Sequence, residues 1–283
     1  MILTDEILEK AKNKILDPLL YATPEGGFPH VYNFENGNKK VVFFAASHSP
    51  VSKEEQFNKI KNTFTALVPD MVFVEGISLP TPEIVERFEQ NIQNKTWEEV
   101  LEKHGEPTFT YKLALEHGVK VISPEYSMRE EIPILKQEGF TEELVFLLYG
   151  TQSAHEYTYQ KRDETLESFV SKKLKNIAQH FENKEYSFEY FAKLVKEYFS
   201  NSVDLETGQG FGEKCNPMPP KENSSRKWYI TNDIVKVLSR KRDELILANI
   251  AQTLETHDRL LIVYGGGHGV MLEPAIEYLV NTI

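Results

Sequence analysis

Four short apolar runs without polar alternation place the strongest constraint on how this chain folds. They occupy residues 41–45, 71–74, 119–122 and 260–264. A short continuous apolar run is typical of a strand that is covered on both faces, as in a parallel sheet. Segments of helical periodicity separate the runs, which predicts strand–helix–strand units. The predicted fold class is therefore α/β, with a mostly parallel central sheet and crossover helices.

Shorter signals predict a hairpin and the starts of several helices. The dipeptide Asn36–Gly37 lies between two β-rich runs at residues 31–34 and 40–45, which is the pattern of a two-stranded hairpin. Helices are predicted from about Asp5 to Leu16, after the capping box of Ser52 and Glu55, and from Thr81–Pro82 with proline at the first helical position.

The chain of 283 residues is 40% hydrophobic, which is enough for a real core. We interpret residues 1–283 as a single α/β domain with a helical insertion at 126–200, because predicted strands lie on both sides of that segment. The glycine-rich and proline-rich stretch at 201–228 is predicted to be a flexible loop or lid. The core of the insertion is predicted to hold the aromatic residues Tyr149, Phe169, Phe188, Phe191, Tyr198 and Phe199.

Charge and cysteine content exclude several classes of protein. With 32 basic and 43 acidic residues, the formal net charge is −11, which argues against a nucleic-acid partner. No apolar run is long enough for a transmembrane segment. The first residues lack the features of a secretory signal, which predicts a cytoplasmic protein, or an exported one if a signal has been removed. The single cysteine, Cys215, excludes a disulfide framework and a cysteine-based zinc cluster.

Common catalytic signatures are broken in this chain. The run Gly265–Gly269 follows a predicted strand, but Val270 breaks the dinucleotide-binding fingerprint and no phosphate-binding lysine follows. The segment from His155 begins like a zinc-protease helix until Tyr159 stands in place of the second histidine. No G-x-S-x-G nucleophile motif occurs. These observations remove the commonest hydrolase and nucleotide-binding interpretations.

Polar residues instead follow each of the four apolar runs, where the predicted strands end. They are His48, Glu75, Glu125 and His268. In open α/β sheets, ligands bind outside the carboxyl ends of the strands, so we predict that these side chains share a site. Each also has a structural explanation. A histidine there can cap a helix, a glutamate can be a loop carboxylate, and the glycines can serve close packing and a tight turn.

Arg242 lies on an otherwise apolar face of the helix predicted between Thr231 and Thr256. At about 100° per residue, that face also carries Asn249 and the apolar residues Ile234, Val235, Leu238 and Leu245. Arg240 falls on the opposite, solvated side. A guanidinium on a buried face needs a carboxylate or an anionic ligand. Arg242 is therefore predicted either to form a structural ion pair or to point into the site.

Together these residues resemble the TraB/Tiki superfamily, which also includes erythromycin-esterase-like and ChaN-like haem-binding proteins. The matching positions are Ala45–His48, Glu75, Arg242 followed by Asp243, and Gly265–His268. The resemblance spans roughly residues 41–280. The first GxxH motif departs from the family, since Ala45 stands where the family has glycine. Asp243 stands where the TraB branch often has asparagine.

The resemblance implies hydrolysis of an ester or amide bond, because family members include proposed metal-dependent proteases and esterases that open a macrolide lactone. His48 or Glu75 is then a candidate general base on a water molecule, acting directly or through a metal. His268 is a candidate metal ligand, or the acid that protonates the leaving group. The expected partner is a small-molecule or peptide substrate.

Other groups are candidates for stabilising charge. Arg242 is a candidate for binding the oxyanion or an anionic group of the substrate. The backbone N–H groups of Gly265, Gly266 and Gly267 are further candidate oxyanion donors. Glu125 and Asn249 are secondary site candidates. His155 and Tyr159, spaced i,i+4 on one predicted helix, either line the site or pack ordinarily.

Three alternatives for cofactor and function stay open at this point. A divalent metal ion has possible ligands in His48, Glu75 and His268. Alternatively, the same pocket binds haem or another anionic small molecule without catalysis, or no cofactor is involved. A structural interaction domain is the interpretation if the polar residues do not converge.

Overall fold

A computed structural model describes residues 4–47, 53–77, 81–103, 105–159, 163–182, 186–217 and 230–283. The chain divides into two units. The first unit comprises Met1–Glu125 and Arg242–Ile283, and the second comprises Tyr126–Lys241. The second unit begins where the predicted insertion begins but extends beyond residue 200, because the chain up to Lys241 packs within it.

The first unit contains a five-stranded sheet that confirms the predicted α/β class. Its strands are β1 (His30–Asn36), β2 (Lys39–Ala46), β3 (Met71–Val74), β4 (Lys120–Ile122) and β5 (Arg259–Gly265). Their order across the sheet is β1-β2-β5-β3-β4. β1 is antiparallel to β2, which confirms the predicted hairpin, and the other neighbours are parallel.

The last strand in the sequence, β5, lies between β2 and β3. Ala46 at the end of β2 pairs with Gly265, and Val74 at the end of β3 pairs with Val263. Since these three strands are parallel, their carboxyl ends meet at one edge of the sheet. The segments that follow β3 and β5, which carry Glu75 and His268, therefore start side by side.

Successive residues along the strands pack into two hydrophobic clusters, one on each face of the sheet. Phe43, Phe73 and Ile262 belong to one cluster, to which residues 11–15, 246–254 and 270–280 contribute. Phe44 and Val263 belong to the other, to which residues 57–64 and 92–114 contribute. Because both faces are covered, neither set of side chains needs to be polar, which explains the absence of alternation.

The helices of the first unit are α1 (Asp5–Lys12), α2 (Lys53–Leu67), α3 (Pro82–Gln93), α4 (Trp97–Lys103), α5 (Glu106–Glu116), the part of α11 (Ile230–Leu254) from Arg242 onward, and α12 (Gly266–Thr282). Thr81 caps α3 as predicted, accepting a hydrogen bond from the Ile84 N–H. The predicted capping box at α2 cannot be assessed, because Ser52 lies outside the described residues. Within the described ranges, no helix is both long and apolar enough to cross a membrane.

The prediction that α1 reaches Leu16 is wrong, since the helix ends at Lys12. The next amides, of Lys14 and Ile15, bond carbonyls three residues back in tight turns. The Leu16 N–H then donates to the carbonyl of Met271 in α12, at 3.0 Å. The tertiary hydrogen bond takes the place of a further helical turn.

The second unit is helical, and aromatic side chains supply much of its core. Its helices are α6 (Met128–Gln137), α7 (Glu142–Tyr159), α8 (Leu166–Ile177), α9 (Phe188–Phe199), α10 (Phe211–Lys214) and the first part of α11 (Ile230–Leu254). Of the six aromatic residues predicted for this core, Tyr149, Phe169, Phe191 and Phe199 are buried, whereas Phe188 and Tyr198 are partly buried.

Part of the stretch predicted to be a flexible loop or lid is packed. Within residues 201–217 the chain forms α10, and the Phe211 ring lies 6.0 Å from Phe191 and 6.3 Å from Phe199 between centroids. Lys214 on the same helix is buried, with its ammonium over the Phe199 ring. Residues 218–229 lie outside the described part of the chain.

The buried face of α11 differs from the predicted one in its second half. Ile234 and Leu238 belong to the core of the second unit, as the pattern suggested. Further along, the buried residues are Ile246, Leu247, Ile250, Ala251 and Leu254, which belong to the first unit. Leu245 and Asn249 are only half-buried. The face shifts because the two halves of the helix pack into different clusters.

Two glycines allow the start of α12 to pack closely against the sheet and against the loop that precedes β1. A Cβ atom on Gly269 would lie 2.8 Å from the Cβ of Ala45 and 3.0 Å from the Tyr32 ring, and one on Gly266 would lie 2.5 Å from the Phe28 ring. In contrast, a Cβ on Gly267 would have no neighbour within 4 Å. Close packing thus explains two of the glycines but not the third.

Replacing Gly269 by alanine is expected to destabilise the protein by about 1–3 kcal/mol, because the added methyl group overpacks a rigid part of the core. The matched control is Gly267→Ala, which is expected to be neutral or stabilising by up to about 1 kcal/mol, as for glycine replaced within a helix. Urea unfolding of both variants measures the difference. Equal stability of the two variants would contradict the packing described for α12.

Candidate active site

Six side chains of the first unit form a polar cluster at the carboxyl edge of the sheet, and we call them the edge cluster. They are Glu75 after β3, Glu125 after β4, Arg242 and Asp243 on α11, Tyr264 at the end of β5, and His268 in the first turn of α12. Four of the six, Glu75, Glu125, Arg242 and His268, are among the residues that the sequence analysis selected.

Glu75 is fixed by two backbone interactions with β5. Its own N–H bonds the Val263 carbonyl at 3.3 Å, which continues the strand pairing by one residue. Its Oε2 accepts the Gly265 N–H at 2.6 Å. The Gly265 amide is thereby engaged and does not serve as an oxyanion donor. Gly266 and Gly267 are the first residues of α12, where amides have no partner within the helix.

Arg242 forms a two-point ion pair with Glu125 and approaches Glu75. Its Nε lies 2.8 Å from Glu125 Oε2, and its Nη2 lies 2.9 Å from Glu125 Oε1 and 3.4 Å from Glu75 Oε1. The Glu125 side chain is 8% exposed. Burial lowers the pKa of Arg242, but the two carboxylates outweigh that effect and raise the pKa overall. The guanidinium therefore stays charged.

One face of this guanidinium is left for another partner. Nε and Nη2 make the three hydrogen bonds to carboxylates, and Nη1 makes none to any side chain or backbone group in the described ranges. Both predicted roles of Arg242 are thus compatible with one geometry. Glu125 supplies the structural ion pair, and Nη1 remains a donor held in a fixed orientation.

His268 is oriented by Asp243. Its Nδ1 lies 2.6 Å from Asp243 Oδ1, and Asp243 is 2% exposed. A carboxylate only accepts hydrogen bonds, so Nδ1 carries the proton and the neutral ring presents a lone pair at Nε2. Nε2 lies 3.7 Å from Glu75 Oε1. Burial lowers the pKa of His268, but Asp243 and Glu75 outweigh it, so the pKa is raised overall.

Tyr264 completes the edge cluster with a fully buried ring. The ring lies edge-on to His268, 5.8 Å between centroids, and 6.4 Å from Phe43. Within the described residues, no hydrogen bond of good geometry reaches its hydroxyl. Burial, together with the nearby carboxylates of Glu125 and Glu75, raises the pKa of Tyr264 far above its ordinary value. The hydroxyl therefore stays protonated.

The charges of the edge cluster do not balance. Three carboxylates face one guanidinium, which leaves two negative charges when His268 is neutral and one when it is protonated. This excess explains why the pKa of His268 is raised in spite of its burial.

The described donors do not fit a divalent metal ion. Of the three predicted ligands, His48 lies outside the described residues, and within these no group of three His, Cys, Asp or Glu side chains is arranged to hold a metal. Nδ1 of His268 is occupied by Asp243, and the Arg242 cation lies 3.4 Å from Glu75 Oε1. One imidazole nitrogen and one carboxylate oxygen are fewer than the three protein ligands of a catalytic zinc site.

Three further residues selected from the sequence have their described hydrogen bonds outside the edge cluster. The Asn249 amide donates to the Leu245 carbonyl of its own helix at 2.8 Å. His155 and Tyr159 belong to the second unit, where the Tyr159 hydroxyl and His155 Nε2 are 3.0 Å apart. Burial lowers the pKa of His155.

Asp243 and Tyr264 are site residues that were not predicted from the sequence. The feature that could have indicated Asp243 is its position next to Arg242 on the same helix. The feature that could have indicated Tyr264 is its hydroxyl, the last side chain of an otherwise apolar strand, directly before the glycine run.

Comparisons of the chain with protein-family models, with curated proteins and with solved structures found no match. The function is therefore inferred from the geometry of the edge cluster. The resemblance to the TraB/Tiki superfamily stays a hypothesis that rests on the motif residues.

Replacing Asp243 by asparagine is expected to lower the pKa of His268, because the variant keeps a hydrogen-bond acceptor but removes the negative charge that favours the imidazolium. Titration of the His268 ring by NMR measures this pKa. His257, which lies before β5 at the opposite end of that strand, serves as the internal control. An unchanged His268 pKa would contradict the role given to Asp243.

The same variant is expected to change how stability depends on pH. A pKa raised in the folded state adds stability that is fully present below the unfolded value of about 6.5 and is lost as the pH rises through the folded pKa. The stability difference between wild type and Asp243→Asn should therefore be largest near pH 6 and shrink at higher pH. Urea unfolding at several pH values measures the trend, and an increase with pH would count against it.

Proposed function

We propose that this protein is a hydrolase of ester or amide bonds, with His268 as general base and acid and Asp243 as its positioning partner. The observation that carries the proposal is the 2.6 Å hydrogen bond between Asp243 and Nδ1 of His268, which presents Nε2 to the edge cluster. A buried carboxylate that fixes the tautomer of a histidine is the arrangement by which hydrolases activate a weak nucleophile.

The proposed reaction uses a water molecule as the nucleophile. Neutral His268 takes a proton from water through Nε2 while the water oxygen bonds to the carbonyl carbon of the substrate. The protonated ring then transfers that proton to the leaving oxygen or nitrogen as its bond to carbon breaks. Asp243 and Glu75 stabilise the imidazolium between the two steps, since both carboxylates face the ring.

Arg242 is assigned to the negative charge on the carbonyl oxygen. Glu125 holds the guanidinium by Nε and Nη2, so that Nη1 is oriented before the substrate binds. A donor fixed in advance stabilises a developing oxyanion more effectively than a mobile one. The first amides of α12, at Gly266 and Gly267, are candidates for a second donor.

The Asp243–His268 pair favours this proposal over a binding protein for haem or another anion, because a histidine whose tautomer is fixed by a buried carboxylate is suited to proton transfer. Direct activation of water by His268 likewise fits the described donors better than activation by a metal ion.

The proposal is tested with a panel of p-nitrophenyl esters, lactones and peptide amides. Wild type is expected to hydrolyse at least one class, and His268→Gln is expected to lower kcat by about 100-fold or more, the usual contribution of a general base. The control is His257→Gln, which should keep full activity. Absence of hydrolysis by wild type, or equal activity of the two variants, would contradict the proposal.

The dependence of rate on pH follows from the state of His268. Because the ring must be neutral to accept a proton and its pKa is raised, kcat/KM is expected to increase with pH and to reach its half-maximal value above about 6.5. Asp243→Asn should move this midpoint to lower pH while reducing kcat. A rate independent of pH between 5 and 9 would rule out His268 as the base.

A further inference from the structure

An open groove runs along the free edge of β4. This strand is the last of the sheet and pairs with β3 on one side. Among the described residues, no backbone group of Lys120–Ile122 bonds any other strand or a helix. Alternate N–H and C=O groups of β4 therefore point away from the sheet, where they are available to a further strand.

The groove has a volume of about 610 Å³, which is within the range of ligand-binding clefts. Residues of α3, α5 and β4 contribute to its lining. The apolar part of the lining is half-buried and consists of Ile77, Val85, Leu115, Val119 and Val121. All of these except Val85 pack against the hydrophobic cluster on that face of the sheet. The cluster therefore ends at the groove with apolar side chains that remain partly exposed.

The groove reaches the edge cluster at the carboxyl end of β4. Ser123 and Ile77 both line it, and the Ile77 N–H donates to Ser123 Oγ at 3.2 Å. The neighbouring Gly76 N–H donates to Glu125 at 3.3 Å, and Glu125 binds Arg242. A ligand that lies along β4 is thus directed toward the guanidinium to which the oxyanion is assigned.

The length of β4 distinguishes between a second copy of this chain and a shorter segment as the occupant. Three residues extend over about 10 Å, and pairing over that length buries far less than the contact of about 800 Å² per partner in a stable dimer. Lys120, exposed at the start of β4, is typical of edges that avoid pairing with another sheet. A single peptide segment fits better, because its backbone pairs with β4 while its side chains fill the groove.

We propose that an extended peptide substrate binds along the free edge of β4 as a sixth strand, with every second side chain in the groove. This inference rests on the hydrolase function proposed above and narrows its substrate class to peptides. Main-chain hydrogen bonds to an edge strand provide affinity for any extended sequence. The apolar lining adds a preference for apolar residues at alternate positions, since successive side chains of a strand point to opposite faces.

The experiment uses the labelled peptide fluorescein-Ser-Val-Ser-Val-Ser-Val-amide as the probe. Its binding to the full chain carrying His268→Gln is measured by fluorescence anisotropy, so that the probe is not cleaved. Further probes each carry one N-methyl group on a backbone nitrogen. Because the N–H groups of an added strand alternate between β4 and solvent, we expect N-methylation at every second position to weaken binding by about three- to tenfold. At the positions between, binding should stay within about twofold of the unmethylated probe.

A pair of variants tests the lining of the groove. Val85 lines the groove, whereas Ile84 precedes it on the same helix and is 44% exposed. We expect Val85→Glu to weaken probe binding by about fivefold or more, because it removes apolar contact with the peptide. Ile84→Glu introduces the same charge outside the lining and should leave binding unchanged. The N-methyl series requires neither variant, so it tests the site even if Val85→Glu fails to fold.

The outcomes separate this inference from the proposed function. No binding of the unmethylated probe at about 1 mM, or equal effects of N-methylation at all positions, overturns the added strand. Weaker binding in Val85→Glu without the alternation assigns the groove to an apolar chain, such as the acyl group of an ester, and also overturns it. If the alternation is found but wild type hydrolyses nothing, the hydrolase is overturned and the peptide site stands. If wild type hydrolyses esters but does not bind the probe, the peptide site is overturned and the hydrolase stands.

Discussion

The edge cluster depends on the parallel pairing of β5 between β2 and β3. This strand comes last in the sequence yet lies in the middle of the sheet. Its carboxyl end therefore meets that of β3, where the Gly265 amide binds the Glu75 carboxylate. The glycine run after β5 continues directly into α12, so His268 follows the strand within one helical turn.

Charge compensation is the second constraint on the site. Arg242 is buried enough to require a counter-ion, and Glu125 provides it through two hydrogen bonds. Asp243, the next residue on α11, compensates His268 in the same manner. Two neighbouring residues of α11 thus have complementary roles. Arg242 is a cation held by the Glu125 carboxylate, and Asp243 is a carboxylate that holds His268. The remaining charge of Glu75 faces both cationic groups and couples the two pairs.

Stability is given up at one position in this site. The Tyr264 hydroxyl, which is buried without a hydrogen bond of good geometry among the described residues, disfavours the folded state. A fold optimised for stability alone would replace this tyrosine by phenylalanine. Such departures from local consistency concentrate at functional sites. Their location at the carboxyl edge of a parallel sheet, where ligands bind, supports a functional explanation.

The sequence by itself determined the fold class and the strand ends. The apolar runs lack alternation because both faces of the sheet are covered, and a covered strand needs no polar side. Glu75, Glu125 and His268 were accessible to prediction because strand ends are local features. Partners were not, since Arg242 and Glu125 are 117 positions apart in the chain. The end of α1 was missed for the same reason, because a carbonyl of α12 bonds the Leu16 amide. Only the tertiary structure decided that Asp243 orients His268 and that the Tyr264 hydroxyl is buried. These facts depend on the strand order and on the packing of α11, which local patterns do not encode.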